Sequence, residues 1–201
     1  MESVFAAAGL LTVAALTPGP NNLVVMQAGA RSGWRGALPE ILGAVLGGLG
    51  LLAVVMLGGT ALFELLPAAR TALAVGGCLY LLWLGAGLVL GSLRPARPEA
   101  AVGPTALPAG VAPLLGFQFL NPKSWVMVLT AVSAVQVGST GAALAWLAAL
   151  FVLIPSVCLV LWAALGALLS GALRRARVRA WFDRAMGLLL VASALLLLRD
   201  V

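Results

Sequence analysis

Histidine is absent from the sequence, and charged residues make up only 9% of it. Without histidine, a histidine-ligated metal site and a serine–histidine catalytic pair are both excluded. The two cysteines, Cys78 and Cys158, lie in separate apolar stretches, and their spacing matches no metal site or redox pair. Paired carboxylates are also missing. We therefore predict no metal, no cofactor and no enzymatic activity.

The shortage of charge also excludes a soluble globular domain, in which roughly a quarter of the residues are charged. Here 63% of the residues are hydrophobic and the mean hydropathy is +1.13. The composition predicts an all-α integral membrane protein that lies in the lipid bilayer. The 12 basic residues exceed the 6 acidic ones, but the arginines fall between apolar segments. They indicate loops at a membrane surface rather than binding to nucleic acid.

A transmembrane helix needs about 20 apolar residues to cross a hydrocarbon core of roughly 30 Å. By that criterion the sequence predicts six transmembrane helices within a single transmembrane domain, 1–201, and leaves no room for a soluble domain. The six segments lie near residues 3–29, 38–63, 71–92, 110–136, 141–170 and 182–199.

The longest connection, "GSLRPARPEAAVGPTALPAG" from Gly91 to Gly110, contains four prolines and is typical of a linker. It divides the chain into halves of about 1–100 and 105–201, each with three predicted spans. Because three is an odd number of crossings, the second half enters the membrane from the opposite side. The sequence therefore predicts two inverted three-helix repeats.

The distribution of arginine predicts the orientation. Nine of the twelve basic residues fall in the first, third and fifth connections or at the start of the last span. By the positive-inside rule these connections face the cytoplasm, and both termini lie outside. The nine residues are Arg31, Arg35, Arg94, Arg97, Arg174, Arg175, Arg177, Arg179 and Arg184.

Two of the spans contain residues that interrupt a helix. "ALTPGPNNLV", residues 15–24, places two prolines and a glycine in the middle of the first segment. "FQFLNPKSW", residues 117–125, does the same in the fourth segment, and Pro20 and Pro122 are 102 residues apart. We predict that helices 1 and 4 are broken near the membrane midplane. Matched interruptions in two halves of a membrane protein point to a substrate site.

The ends of broken helices suit an amino acid. Half-helices that begin near Asn21 and Pro122 offer free N–H groups to a carboxylate, and half-helices that end before Thr17 and Leu120 offer carbonyls to an ammonium group. The sequence thus predicts a binding site for a small-molecule amino-acid substrate. Its candidate residues are Thr17, Pro18, Gly19, Pro20, Asn21, Asn22, Gln118, Asn121, Pro122 and Lys123.

Charged and amide side chains inside the spans have two interpretations each. A lysine at mid-membrane costs at least ~2.5–3.5 kcal/mol, so Lys123 either balances the substrate carboxylate or forms a structural ion pair, for instance with Glu40. Glu40 either stabilises the first turn of the second span or is a coupling candidate that binds a proton or an ammonium group. Gln27 and Gln118 either form interhelical hydrogen bonds or line the pathway.

Small residues allow two helices in a membrane to approach closely. "GAVLG" (43–47) and "GLVLG" (87–91) are candidates for such faces. Each predicts either a packing seam within the fold or a contact between copies of the chain, so a homo-oligomer is one candidate assembly.

At these residues the chain resembles the LysE/RhtB family of small amino-acid exporters over nearly its whole length. "TPGPNN" and "FLNPK" resemble the signatures of the family's first and fourth spans. The resemblance is greatest to the cysteine/O-acetylserine exporter-like branch, in "GWRGALPEILG" (33–43), "FQFLNPKSWVM" (117–127), "PSVCLVLWAALG" (155–166) and "WFDRAMGLLLVASAL" (181–195).

The resemblance implies a multi-pass transporter of the bacterial inner membrane that exports amino acids or related metabolites, in exchange for protons. One departure concerns Gly47, which is followed by Gly48 where many relatives carry an aspartate. A coupling role of that aspartate cannot be transferred to this chain, so Glu40 becomes a more important coupling candidate. The motif positions carried over are Pro18, Gly19, Pro20, Asn21, Asn22, Asn121, Pro122 and Lys123.

Export by alternating access, in which the two halves rock about a central site, is the leading hypothesis. The alternative is a membrane scaffold or assembly subunit without a solute pathway. The scaffold hypothesis leaves two matched helix interruptions without an explanation.

Overall fold

The computed structural model describes residues 2–59, 67–93, 108–134 and 141–199. All regular secondary structure in these ranges is helical, as the sequence predicts. The described ranges contain eight α-helices, and one turn of π-helix, Val55–Gly59, extends the third of them. The helices are α1 Glu2–Leu16, α2 Pro20–Gly36, α3 Leu38–Val54, α4 Pro67–Ser92, α5 Val111–Leu120, α6 Pro122–Ala134, α7 Gly141–Leu173 and α8 Ala176–Arg199.

Four stretches within the described ranges are long and apolar enough to cross a membrane: Leu38–Gly58, Thr71–Ser92, Leu144–Leu173 and Ala176–Arg199. They belong to α3, α4, α7 and α8, and they confirm the predicted class of membrane protein. The apolar parts of α1 and α5 are shorter than a full span. The linker residues 94–107, with Arg94 and Arg97, lie outside the described residues, as do the predicted span ends at 63 and 136.

The last predicted span begins later than the helix that contains it. Helix α8 starts at Ala176 rather than at 182. Hydropathy alone missed this first turn and a half because Arg177 and Arg179 lower the apolar average. Both arginines are good helix formers, so the helix extends through them.

Helices α2 and α7 pack side by side with almost no space between their backbones. A Cβ atom on Gly29 would lie 2.1 Å from the carbonyl oxygen of Ala163, and one on Gly166 would lie 1.9 Å from that of Met26. Only glycine permits this approach.

The GAVLG face is a second seam. A Cβ atom on Gly43 would lie 2.4 Å from the carbonyl oxygen of Val111, and one on Gly47 would lie 2.5 Å from that of Leu115. This face therefore packs α3 against α5 within the chain. The GLVLG face does not have such a role among the described residues, because a Cβ atom on Gly87 would meet none of their atoms within 4 Å.

Of the four apolar clusters among the described residues, the two largest lie at different heights of the bundle. Along α7, Leu159 and Ala163 belong to one cluster, whereas Leu147 and Phe151 belong to the other. Helix α3 contributes to both clusters in the same way. Pro155 of α7 lies between them, so the level of Pro155 is the middle of the bundle.

Candidate functional site

The two motifs that interrupt the apolar segments coincide with helix ends. Helix α1 ends at Leu16 and α2 begins at Pro20, while α5 ends at Leu120 and α6 begins at Pro122. Each proline stands at the first position of a helix, where its missing N–H would have no intrahelical partner in any case.

A reciprocal amide pair joins the two motifs. The Nδ2 group of Asn21 donates to Oε1 of Gln118 at 2.9 Å, and Nε2 of Gln118 donates to Oδ1 of Asn21 at 3.0 Å. Gln118 also donates to the carbonyl of Leu114 and accepts from the hydroxyl of Ser124. Of the two interpretations of Gln118, the interhelical hydrogen bond is therefore present.

Lys123 joins the motifs in the opposite direction. Its ammonium group donates to the carbonyl oxygen of Thr17 and lies 3.5 Å from that of Pro18. Asn21 and Lys123 are 102 residues apart, so each stands at the matching position of its motif. A side chain from the start of α2 thus binds the end of α5, and one from the start of α6 binds the end of α1.

Side chains of the motifs also satisfy the backbone groups that the helix ends leave free. The amide of Asn22 donates at 3.0 Å to the carbonyls of both Ala15 and Thr17. At the second motif, Oδ1 of Asn121 accepts from the N–H of Lys123 at 3.1 Å. These bonds matter because an unpaired backbone group in a membrane costs several kcal/mol, roughly.

A cavity of about 40 Å³ lies where α1, α2, α6 and α7 meet. This volume has room for about three water molecules at ~10–15 Å³ each. Six predicted site residues line it, together with six that were not predicted as site residues. The predicted ones are Gly19, Pro20, Asn21, Asn22, Asn121 and Lys123, and the others are Ala14, Ala15, Ser124, Met127, Pro155 and Leu159.

The four remaining predicted residues of the two motifs do not line the cavity. Thr17 and Pro18 supply carbonyls to Lys123, and Gln118 holds Asn21. Pro122 packs on α4, where a Cβ atom on Gly77 would lie 2.8 Å from its Cδ.

Signals for two of the missed residues were present in the sequence. Ser124 follows the motif lysine directly, and Pro155 is a proline inside an apolar segment. The apolar lining residues Ala14, Met127 and Leu159 carry no such signal, because nothing distinguishes them from residues that pack in the core.

Lys123 is the one charged side chain among the lining residues, and none of them is acidic. Glu40 lies outside the cavity lining, at the start of α3. Its Oε1 accepts a hydrogen bond at 3.1 Å from the N–H of Gly110, the residue before α5. Lys123 and Glu40 are thus bound to other groups, and no ion pair between them occurs among the described contacts. The ion pair with Glu40 that the sequence offered as one interpretation of Lys123 is therefore not found, and the ammonium group bonds to backbone carbonyls instead.

Two buried side chains outside the cavity lining keep polar atoms without partners. Glu40 is 8% exposed and its Oε2 has no hydrogen-bond partner among the described residues. Gln27 is 2% exposed, and neither its amide oxygen nor its amide nitrogen has such a partner.

The sequence pattern of the LysE type translocator family matches residues 12–201, which is almost the whole chain. The chain belongs to this family. The resemblance noted from the two motifs is thereby confirmed.

Curated relatives agree with this assignment. The chain is 33% identical to the cysteine/O-acetylserine efflux proteins of Salmonella choleraesuis and Salmonella typhimurium, over 81% of either chain. It is 30% identical to the protein of the same name from Klebsiella pneumoniae, over 60% of this chain and 59% of that one. No solved structure matches the chain.

Proposed function

We propose that this translocator is a secondary transporter of the bacterial inner membrane that exports cysteine, O-acetylserine or other small neutral amino acids from the cytoplasm. The observation that carries the proposal is the meeting of the two motifs at one small cavity, through the Asn21–Gln118 and Lys123–Thr17 contacts. The names of the relatives indicate the substrate class.

We propose that six spans form two inverted halves, with α1 and α2 as one interrupted span and α5 and α6 as another. In such a repeat the first span corresponds to the fourth, the second to the fifth and the third to the sixth. The glycine seams support this at the level of whole spans, because α2 with α7 joins the first span to the fifth and α3 with α5 joins the fourth to the second, through opposite halves of the interrupted spans.

The directions of the helices also fit. Gly43 meets Val111 and Gly47 meets Leu115, so α3 and α5 run parallel. Helices α4 and α8 run antiparallel, because Arg184 near the start of α8 binds Ser92 at the end of α4. In an inverted repeat of this topology, α3, α5 and α8 run outward from the cytoplasmic side, and α4 runs back toward it. The helices α3 and α5 must then be parallel, and α4 and α8 must be antiparallel.

The substrate would bind at the level of Pro155, between the two core clusters. The carbonyls at the end of α1 suit its ammonium group, and the first N–H groups of α2 and α6 together with Lys123 suit its carboxylate. Met127 and Leu159 would contact the side chain. The absence of an acidic lining residue disfavours substrates with cationic side chains.

Glu40 is the residue that we propose for proton coupling. Its carboxylate holds α3 to the residue that precedes α5, and protonation removes the negative charge that makes this bond strong. Loss of the bond would free the start of α5, on the side that the positive-inside rule assigns to the cytoplasm. A proton would thereby favour one orientation of the halves over the other.

Uptake into inverted membrane vesicles tests the function. We expect labelled L-cysteine or O-acetyl-L-serine to accumulate in vesicles that contain the chain and carry an acidic interior. Asn21→Ala and Lys123→Ala should reduce uptake at least ~10-fold, which corresponds to about 1.4 kcal/mol of lost interaction. Thr130→Ala, an exposed position on the same helix as Lys123 and outside the cavity lining, serves as the control.

Two further comparisons separate the alternatives. Equal uptake by vesicles with and without the chain would favour the scaffold hypothesis. Glu40→Gln should keep substrate exchange at equilibrium and lose accumulation driven by the proton gradient, and a variant that retained both would exclude Glu40 from coupling.

A further inference from the structure

The ammonium group of Lys123 occupies the place that suits the ammonium group of an amino acid. It is bound to the last carbonyls of α1, at Thr17 and Pro18. The carboxyl end of a helix carries partial negative charge and attracts a cation. Lys123 has no carboxylate partner among the described residues, so these carbonyls hold it alone.

The sequence leaves space for the lysine in this position. A Cβ atom on Gly19 would lie 2.9 Å from Nζ of Lys123 and 3.0 Å from its Cδ. The carbonyl groups at the end of α1 do not depend on Lys123 alone for hydrogen bonds, because the amide of Asn22 also donates to those of Ala15 and Thr17. Asn22 therefore keeps the end of α1 in place if the lysine leaves.

We propose that Lys123 is an internal occupant of the ammonium subsite, which the substrate displaces. This inference rests on the proposed export of amino acids and adds an exchange of partners to it. The α-ammonium group of the substrate replaces Nζ of Lys123 at the carbonyls of Thr17 and Pro18. The released lysine then pairs with the α-carboxylate of the same substrate molecule.

The exchange explains how a cavity of only about 40 Å³ can accept an amino acid. Movement of a lysine side chain enlarges the cavity at the point where the substrate enters. It also makes recognition depend on both charged groups of the substrate. An amine without a carboxylate would leave Lys123 unpaired in the membrane, which is costly, and a carboxylate without an amine would leave the carbonyls of α1 with one donor fewer.

The wild-type protein permits a direct test, because Lys123 is the only lysine in the sequence. Nitrogen-15 in lysine side chains gives a single ammonium signal in the NMR spectrum of the protein in nanodiscs. We expect L-cysteine to shift this signal at concentrations where cysteamine, which lacks the carboxylate, and 3-mercaptopropionate, which lacks the amine, leave it unchanged. An equal shift with all three compounds, or no shift with L-cysteine while it is bound, would overturn the proposal.

A variant tests the subsite without any amino acid. In Lys123→Met the carbonyls of α1 lose their cation, so methylammonium should raise the melting temperature of this variant and leave the wild type unchanged. Lys123→Arg keeps a cation in reach of the same carbonyls and should show no effect of methylammonium. The same small response of all three proteins to methylammonium would contradict an ammonium subsite.

The two tests separate this inference from the proposed function. If vesicles export cysteine but the lysine signal does not respond to it, the exchange is wrong and the transport proposal stands. In a second outcome, methylammonium stabilises Lys123→Met, but amino acids neither accumulate in the vesicles nor shift the lysine signal. The ammonium subsite then exists, but amino acids do not displace the lysine from it. This outcome overturns both the exchange and the transport proposal.

Discussion

Two buried glutamines show how much a single amide depends on its partners. Gln27 and Gln118 have the same exposed fraction, 2%. The amide of Gln118 bonds to Asn21, Leu114 and Ser124, whereas the amide of Gln27 has no partner among the described residues. A buried polar group without a hydrogen bond destabilises the fold, and one with several bonds contributes to it.

We therefore predict opposite effects of the same substitution at the two positions. Gln118→Leu should lower the free energy of unfolding by ~1–3 kcal/mol, because it leaves the amide of Asn21 and the hydroxyl of Ser124 without their partner. Gln27→Leu should raise it by about 1 kcal/mol, because it removes an unsatisfied amide and keeps the volume. Equilibrium unfolding in mixed detergent micelles measures both, and each variant is the control for the other.

A destabilising Gln27→Leu would show that this amide has a partner in the membrane-embedded protein. Conversely, a stable variant with reduced export would indicate that Gln27 is retained for transport. Position 27 lies six residues along α2 from Asn21, about 9 Å at 1.5 Å per residue, on the helix that connects the cavity lining to Arg31.

At this scale the sequence predicted which residues meet around the cavity better than it predicted their hydrogen-bond partners. Prolines and amides in an apolar segment are visible because they conflict with a continuous helix. The bond from Lys123 to the carbonyl of Thr17 is not visible, because it depends on how α6 is rotated against α1. A backbone carbonyl also leaves no mark in a sequence.

At the scale of the helices, the packing depends on glycines that face a neighbouring backbone. Gly29 of α2 lies against α7, and Gly87 of α4 lies against nothing within 4 Å. The sequence offers both as glycines in apolar helices, and it singled out the GAVLG and GLVLG faces as equally good candidates. Only the mutual arrangement of the helices distinguishes a seam from a helix face without a neighbour.

We predict that Gly29→Ala destabilises the protein by at least ~1–3 kcal/mol, the usual cost of overpacking, because the new methyl group would overlap the carbonyl of Ala163. Gly87→Ala should be neutral or stabilising by up to ~1 kcal/mol through helix propensity alone. Thermal unfolding in detergent, followed by circular dichroism, compares the two variants. Similar melting temperatures for both would show that α2 and α7 are further apart than described.

Helix ends were predicted well where a proline marks them and less well elsewhere. Pro20 and Pro122 each begin a helix, within a residue or two of the expected positions. The start of α8 was missed because a hydropathy average measures lipid contact rather than helix formation. Arginines at a membrane surface lower that average without ending a helix.

At the scale of the whole molecule, the arrangement of charge and cysteine makes the proposed topology testable. The native Cys78 and Cys158 are both buried, at 0% and 4% exposure, so the wild-type protein should react little with a thiol reagent. Single cysteines can then be introduced at exposed positions near the helix ends. Ser32 and Ala176 lie near clustered arginines, whereas Ala68 and Gly141 are close to the opposite ends of the long helices.

We predict that a membrane-impermeant maleimide labels Ala68→Cys and Gly141→Cys in intact cells, and labels Ser32→Cys and Ala176→Cys only after the membrane is opened. The reason is the positive-inside rule, which predicts that the connections near Ser32 and Ala176 face the cytoplasm because they are rich in arginine. The wild type is the control for the native cysteines. Labelling of Gly141→Cys and Ala176→Cys from the same side would mean that α7 does not cross the membrane. The proposed inverted relation between the halves would then be lost, and with it the reason for the two interrupted spans to meet at one cavity.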